Sequence, residues 1–128
     1  MNKVYTKEEL RSAPPLSLSF IGDAVHTLFV REGHFSVNLK NNALHAVSSE
    51  DCCAPRQAKA AKKMEELLNE DELCIFKRGK NAKVNTVPKN CTLYEYNLAT
   101  AFEAVIGYLY LLAEYDRMEE LIRASYAE

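Results

Sequence analysis

Apolar positions recur at helical spacing along almost the whole chain, and no stretch of apolar/polar alternation is long enough to argue for a sheet. The pattern predicts an all-α protein. A short helix opens at Thr6, where Glu9 three residues on completes a capping box, and Pro14-Pro15 ends it. The second helix is expected from about Leu16 to Glu32, stopped by Gly33. Its apolar face is read as Leu18, Ile21, Val25, Leu28 and Phe29, with Ser19, Asp23 and Thr27 on the other side. Further helices are expected from Asn38 to Ser48, from Pro55 to Leu68 and from Asp71 to Arg78. Gly79, Asn81, Asn85 and Pro88 mark a loop. A sixth helix starts at Thr92, capped by Glu95, and carries Leu98, Phe102, Val105, Ile106, Leu109 and Leu112; it is the most apolar and should be central. A last helix covers Asp116 to Tyr126. With no repeat or linker, residues 1–128 read as one domain.

Composition narrows the class. The chain has 128 residues, 48% of them hydrophobic and 27% charged, enough for one core and too apolar for disorder. No apolar run approaches the roughly 20 residues of a membrane span, and the N-terminus has no apolar signal core, so a cytoplasmic protein is expected. Cys52 and Cys53 are adjacent while Cys74 and Cys91 stand alone, which offers no zinc spacing and reads as reduced, structural thiols. His26, His34 and His45 do not converge at metal-ligand spacing, and His26 is expected to be a partly exposed helix residue. Tyr94, Tyr96, Tyr108 and Tyr110 fall at helical spacing and read as structural.

Charge changes the picture more than composition does. The net charge is −2, yet Phe76 to Asn90 holds Lys77, Arg78, Lys80, Lys83 and Lys89 and no acid, so that window carries +5 and the remainder −7. Positive field is therefore concentrated in one segment of an acidic protein.

Two acids stand in apolar helical surroundings. Asp23 follows Gly22 in Phe20-Ile21-Gly22-Asp23-Ala24-Val25, and Glu103 lies one turn before Gly107 in Ala101-Phe102-Glu103-Ala104-Val105-Ile106-Gly107. Carboxylates are rarely buried unless paired or bound to a cation, and glycine inside a helix costs about 1 kcal/mol relative to alanine. Close packing of the two helices at their glycines would bring the acids together, where like charges repel unless a proton or cation intervenes. Magnesium suits carboxylates and water. The bland alternative stands beside it at this point: Glu103 paired with a lysine and Asp23 a solvated helix residue.

The same residues resemble a known family. Phe20 to Val25 is similar to the signature helix of the ribonuclease III catalytic domain, and Thr100 to Leu111 (TAFEAVIGYLYL) resembles that domain's second acidic helix. Between them, Lys77 to Lys83 (KRGKNAK) with Thr86 to Asn90 (TVPKN) resembles a stretch typical of Mini-ribonuclease III, the short bacterial branch that lacks a double-stranded-RNA-binding domain. The resemblance implies an all-helical ribonuclease III endonuclease domain, homodimeric, that hydrolyses double-stranded RNA with Mg²⁺. For this branch the implied substrate is a precursor of large-subunit ribosomal RNA. Asp23 and Glu103 match the family's metal-binding acids, and Phe20 a position that packs across the dimer interface. Leu16 and Ser19 stand where full-length enzymes carry glutamates, and Thr100 where they carry an aspartate; the short branch resembles this chain there. Thr100, one turn before Glu103, is a candidate for orienting a water at the ion.

For RNA contact, Lys77, Arg78, Lys80, Lys83 and Lys89 suit phosphates, while Asn81, Thr86 and Asn90, with Asn85, suit sugar and base edges. Assistance from a ribosomal protein is an expectation that no residue carries. A non-catalytic RNA-binding domain is the chief rival, supported by the missing acids at 16, 19 and 100 and opposed by the presence of both Asp23 and Glu103. A helical scaffold meeting an acidic protein through the basic loop leaves those two acids unexplained.

Overall fold

Local signals start most of the helices. A computed structural model describes residues 3–37, 40, 52–84 and 86–127. Its elements are α1 (Lys7–Arg11), α2 (Pro15–His34), α3 (Ala54–Glu65), α4 (Glu70–Lys80), α5 (Leu93–Leu111) and α6 (Tyr115–Tyr126), and no strand occurs among the described residues. The helix expected from Asn38 to Ser48 lies, but for Lys40, outside them. The capping boxes Thr6–Glu9 and Thr92–Glu95 start α1 and α5 as the spacing predicts. A third, Asn69–Glu72, starts α4 one residue before the expected Asp71. No helix is long and apolar enough to cross a membrane among the described residues.

α5 is the central helix, with Ala101, Phe102, Ala104 and Val105 fully buried, and α2, α3, α4 and α6 pack around it. α2 begins at Pro15, with Pro in its first turn, and continues through Gly33 to His34. Gly33 keeps a helical φ and meets nothing within 4 Å, so it is not the stop that the sequence predicted. Gly79 was likewise expected in a loop and lies inside α4, where a Cβ would stand 2.9 Å from Ala101 Cα. Helix α4 therefore carries the basic segment two residues further than expected.

The buried stripe of α2 is also not the expected one. Leu18, Ser19, Gly22, His26 and Val30 face the core, whereas Leu28 is 63% exposed and Ile21 and Val25 line an open groove with Tyr5, Tyr110 and Leu111. The reason is how closely the backbones approach. A Cβ at Gly22 would lie 1.7 Å from the Glu103 carbonyl oxygen, and one at Gly107 2.0 Å from the Leu18 carbonyl oxygen. Only glycine lets α2 and α5 touch backbone to backbone. The side of α2 that holds Gly22 therefore faces inward, whatever the apolar residues elsewhere on it.

Two polar devices close the bundle. Burial pushes the Glu72 carboxyl up, but hydrogen bonds from Arg117 and the Asn69 N–H, with the Arg117 charge, hold it below its ordinary value. Ala113 ends α5 at φ 60, and hydrogen bonds from Glu114 N–H to Leu109 O and from Ala113 N–H to Tyr110 O complete a Schellman turn there.

Replacing Gly22 with alanine should destabilise the fold by about 3 kcal/mol or more, because backbone on both sides has no room to give. Gly33→Ala, in open space, should instead stabilise by about 0.5–1 kcal/mol. Urea-denaturation midpoints of the two variants check both signs.

Candidate active site

The glycine contact delivers the site. Asp23 follows Gly22 on α2, Glu103 precedes Gly107 by one turn on α5, and Asp23 comes near enough to share a hydrogen bond with the Glu103 carboxyl. Burial, and then the Asp23 carboxyl beside it, push Glu103 up to about 9, against the lowering effect of hydrogen bonds from Gln57 and Ser19. Ser19 Oγ donates to Glu103 Oε1 at 3.4 Å and Gln57 Nε2 donates to Oε2 at 3.4 Å. Among the described residues the groups that meet Glu103 are thus a second acid, an amide and a hydroxyl rather than a lysine, against the ion-pair alternative.

Asp23 and Glu103 open into a cleft of about 410 Å³ that Leu16, Phe20, Cys52, Pro88, Tyr96 and Thr100 also line. Phe20, 76% exposed, stands at its edge on α2. The Thr100 hydroxyl donates to the Tyr96 carbonyl of its own helix at 2.9 Å, so only its lone pairs remain for the role expected of it. Where full-length enzymes were expected to carry further acids, Ser19 here donates a hydrogen bond to Glu103 and Leu16 presents an apolar surface to the cleft.

The donor set fits magnesium. Carboxylate, carboxamide and hydroxyl oxygens dominate it, and burial beside a second acid, which raises Glu103 to about 9, is a strain that a divalent cation would relieve. No group of three or more His, Cys, Asp or Glu gathers among the described residues, at this cleft or away from it, so an ion here would be held by two acids with water in its other positions.

Other expected site residues fall at the end of α4 and in the connection to α5. Lys77, Arg78 and Lys80 occupy the last turn of α4 and Asn81 caps it; Lys83, Thr86, Lys89 and Asn90 follow, all exposed, while Asn85 lies outside the described residues. The connection reaches the cleft at Pro88. Arg78 is turned back: its guanidinium donates to the carbonyl oxygens of Arg11 and Ala13, both at 2.7 Å, and ties the α1–α2 connection to α4.

Sequence reasoning missed several residues. His26 is fully buried rather than partly exposed, because it sits one turn beyond Gly22 on the inward stripe of α2. Its Nε2 lies 2.8 Å from Tyr126 Oη and its Nδ1 3.2 Å from Gln57 Nε2. Gln57, 3% exposed, was not singled out at all. One signal was there: it shares a helical stripe with Ala61 and Met64, so a polar residue stands where α3 turns to the core. Of the four cysteines, Cys53 and Cys74 are exposed and Cys52 and Cys91 half-buried, so the structural role expected of them does not extend to Cys53 and Cys74.

A bundle whose two central helices meet at glycines and present an acid pair to an open cleft defines the class: residues 16–114 match the family model described as Ribonuclease III domain. The chain is 41% identical over 125 residues to the Mini-ribonuclease 3 of Clostridium tetani, covering 96% of this chain and 83% of that protein. It is 40% identical over 124 residues to the Mini-ribonuclease 3 of a Thermoanaerobacter species, covering 96% and 87%. A crystal structure of a Fusobacterium nucleatum protein superposes with a TM-score of 0.83 at 33% identity, covering 90% of this chain and 93% of that one. The chain belongs to the ribonuclease III family of endoribonucleases, in its Mini-ribonuclease 3 branch.

In protein stripped of divalent ions, the folded state keeps on Glu103, at about 9, a proton that the unfolded state gives up near 4.5. The stability this group contributes is full below the lower value and is lost as pH rises through the higher one. Melting temperature in EDTA should therefore fall between about pH 5 and pH 9 more steeply for the parent than for Glu103→Gln. Parallel slopes would show that Glu103 titrates as an ordinary carboxyl.

Proposed function

We propose that this endoribonuclease cuts double-stranded RNA with Mg²⁺ held between Asp23 and Glu103, and that a precursor of large-subunit ribosomal RNA is its substrate. The observation that carries the reading is the acid pair itself, half-buried Glu103 against Asp23 at the mouth of a cleft in a ribonuclease III domain. A magnesium ion held there would supply positive charge for the phosphodiester oxygens and ease the deprotonation of an attacking water. The chain's own residues do the rest. Asp23 and Glu103 offer the oxygens that hold the ion, and Ser19 and Gln57 donate hydrogen bonds to the Glu103 carboxyl. Leu16, Phe20 and Tyr96 wall the cleft with apolar surface.

Lys77, Lys80, Lys83 and Lys89 are read as phosphate contacts, with Asn81, Thr86 and Asn90 hydrogen-bonding to sugars and base edges. Arg78 adds charge beside them while tying α4 to the α1–α2 connection. Pro88 in the cleft wall links this segment to the acids, so a duplex lying on the lysines would run toward them. We also read the protein as a homodimer. Exposed Leu28 lines an apolar groove of about 460 Å³ with Tyr5, Ile21, Val25, Tyr110 and Leu111, a surface that a second copy would cover, and Phe20 is exposed on the same helix. Two copies would set two acid pairs on opposite strands. Residues 1–128 are taken as a single catalytic domain, and the four thiols suit a reducing compartment such as the cytoplasm. Help from a ribosomal protein is a further partner compatible with this reading.

Incubating the protein with structured double-stranded RNA and Mg²⁺ tests it. The parent should cut, while Asp23→Asn and Glu103→Gln should lose at least about 100-fold in cleavage rate and keep duplex binding. Tight binding without cleavage by the parent would favour a non-catalytic RNA-binding role instead. Replacing Lys80, Lys83 and Lys89 together with alanine should reduce the slope of log affinity against log salt by about 3, one unit per lysine. Arg78→Ala should lower the melting temperature as well as affinity, because its carbonyl partners are then left unbonded.

A further inference from the structure

Behind Glu103 lies a buried polar chain that the metal-holding role of the two acids does not by itself require. The Gln57 carboxamide is 3% exposed and stands between two acceptors, Glu103 Oε2 at 3.4 Å and His26 Nδ1 at 3.2 Å from the same Nε2. An amide nitrogen has two hydrogens and no lone pair to offer, so one hydrogen serves each acceptor. His26 Nδ1 therefore accepts, which places the ring proton on Nε2, where it donates to Tyr126 Oη at 2.8 Å. The ring is fully buried and packed edge-on against Phe102, with centroids 5.3 Å apart, and stacked on Tyr126 at 5.7 Å. Phe102 is the neighbour of Glu103 on α5, so one side of the imidazole clamp is built into the helix that carries the acid.

We propose that Gln57 is a positioning residue for the metal site: anchored from behind by His26 and Tyr126, it holds Glu103 so that the carboxylate faces Asp23 and the cleft. The inference rests on the metal-dependent reading above. Its physical basis is orientational. A glutamate has three side-chain torsions, and a carboxylate free to rotate in a cleft must lose that freedom each time an ion binds. Gln57 on α3 and Ser19 on α2 each take one oxygen of Glu103, one from either flank, and so make that loss in advance. Gln57 is the more constrained of the two donors, because its second hydrogen is committed to a ring that is itself locked by aromatic packing and by Tyr126. The flipped amide would set its oxygen against the ionised Glu103 carboxylate, acceptor to acceptor.

Gln57→Met fills similar volume without a donor, and Mg²⁺ is the probe. Calorimetric titration without RNA should show the variant needing about 10-fold or more Mg²⁺ for half-saturation, the usual scale for removing a group that orients a metal ligand. Cleavage of duplex RNA should need a matching increase and recover at high Mg²⁺, with duplex affinity in EDTA unchanged. A merely structural Gln57 would lower the melting temperature and leave the Mg²⁺ requirement where it was, and that result overturns the inference. Should Gln57→Met not fold, the parent answers by NMR. The Gln57 side-chain NH₂ signals should shift on Mg²⁺ addition in the parent and stay put in Glu103→Gln. Their remaining still while the backbone signals around Glu103 move would overturn the proposal equally. A parent that neither binds Mg²⁺ nor needs it to cut would instead remove the metal-dependent reading and this inference with it.

Discussion

Backbone contact between α2 and α5 governs what the rest of the structure can do. At Gly22 and Gly107 the two helices come so close that a single methyl group on either would overlap a carbonyl oxygen of the other. Two glycines inside helices cost roughly 2 kcal/mol in helix propensity, so the contact has to be repaid by burial around it. That burial is supplied by α5, whose middle is shielded on every side by α2, α3, α4 and α6. The proximity of the acids follows from the same contact, because Asp23 and Glu103 are carried on the two helices that the glycines press together.

Pressing two acids together in a half-buried cleft creates an electrostatic demand. In the protein alone it is met by a proton on Glu103, whose carboxyl burial and Asp23 raise to about 9. A divalent cation meets it better, since it satisfies both carboxylates at once and leaves neither as a lone buried charge. Ser19 and Gln57 both donate to the Glu103 carboxyl and oppose its rise to about 9, though by less than burial and Asp23 produce it. Two acids packed so closely cannot stabilise the fold as an ion pair would, which is the physical ground for proposing a cation between them.

The positive charge lies apart from this centre. Lys77 and Lys80 stand on the end of α4, and the remaining lysines follow in the connection to α5, which touches the cleft wall through Pro88. Separation of this kind suits a polyanion, whose backbone charges can be held on one surface while a single phosphodiester meets the acids. Arg78 departs from its lysine neighbours because its planar fork of donors can bridge two carbonyl oxygens, as it does at Arg11 and Ala13, which an ammonium matches less well.

Much was legible in one dimension because it depends on local chemistry. The all-helical class came from periodicity, α1 and α5 started at their capping boxes, and the glycine-flanked acids pointed to a close contact carrying chemistry. What the sequence misread was direction. It assigned α2 an apolar face of Leu18, Ile21, Val25, Leu28 and Phe29, and of these only Leu18 is fully buried. It placed His26 partly outside, put Gly33 and Gly79 at helix ends, and passed over Gln57. Periodicity reports which residues share a face, while the face that turns inward is set by how near another backbone can come. Capping, composition and the two acids were determined by the sequence itself; the burial of His26, the reach of Gln57 to Glu103 and the capture of Arg78 by distant carbonyls were decided only when the helices packed, because each joins groups far apart in the chain.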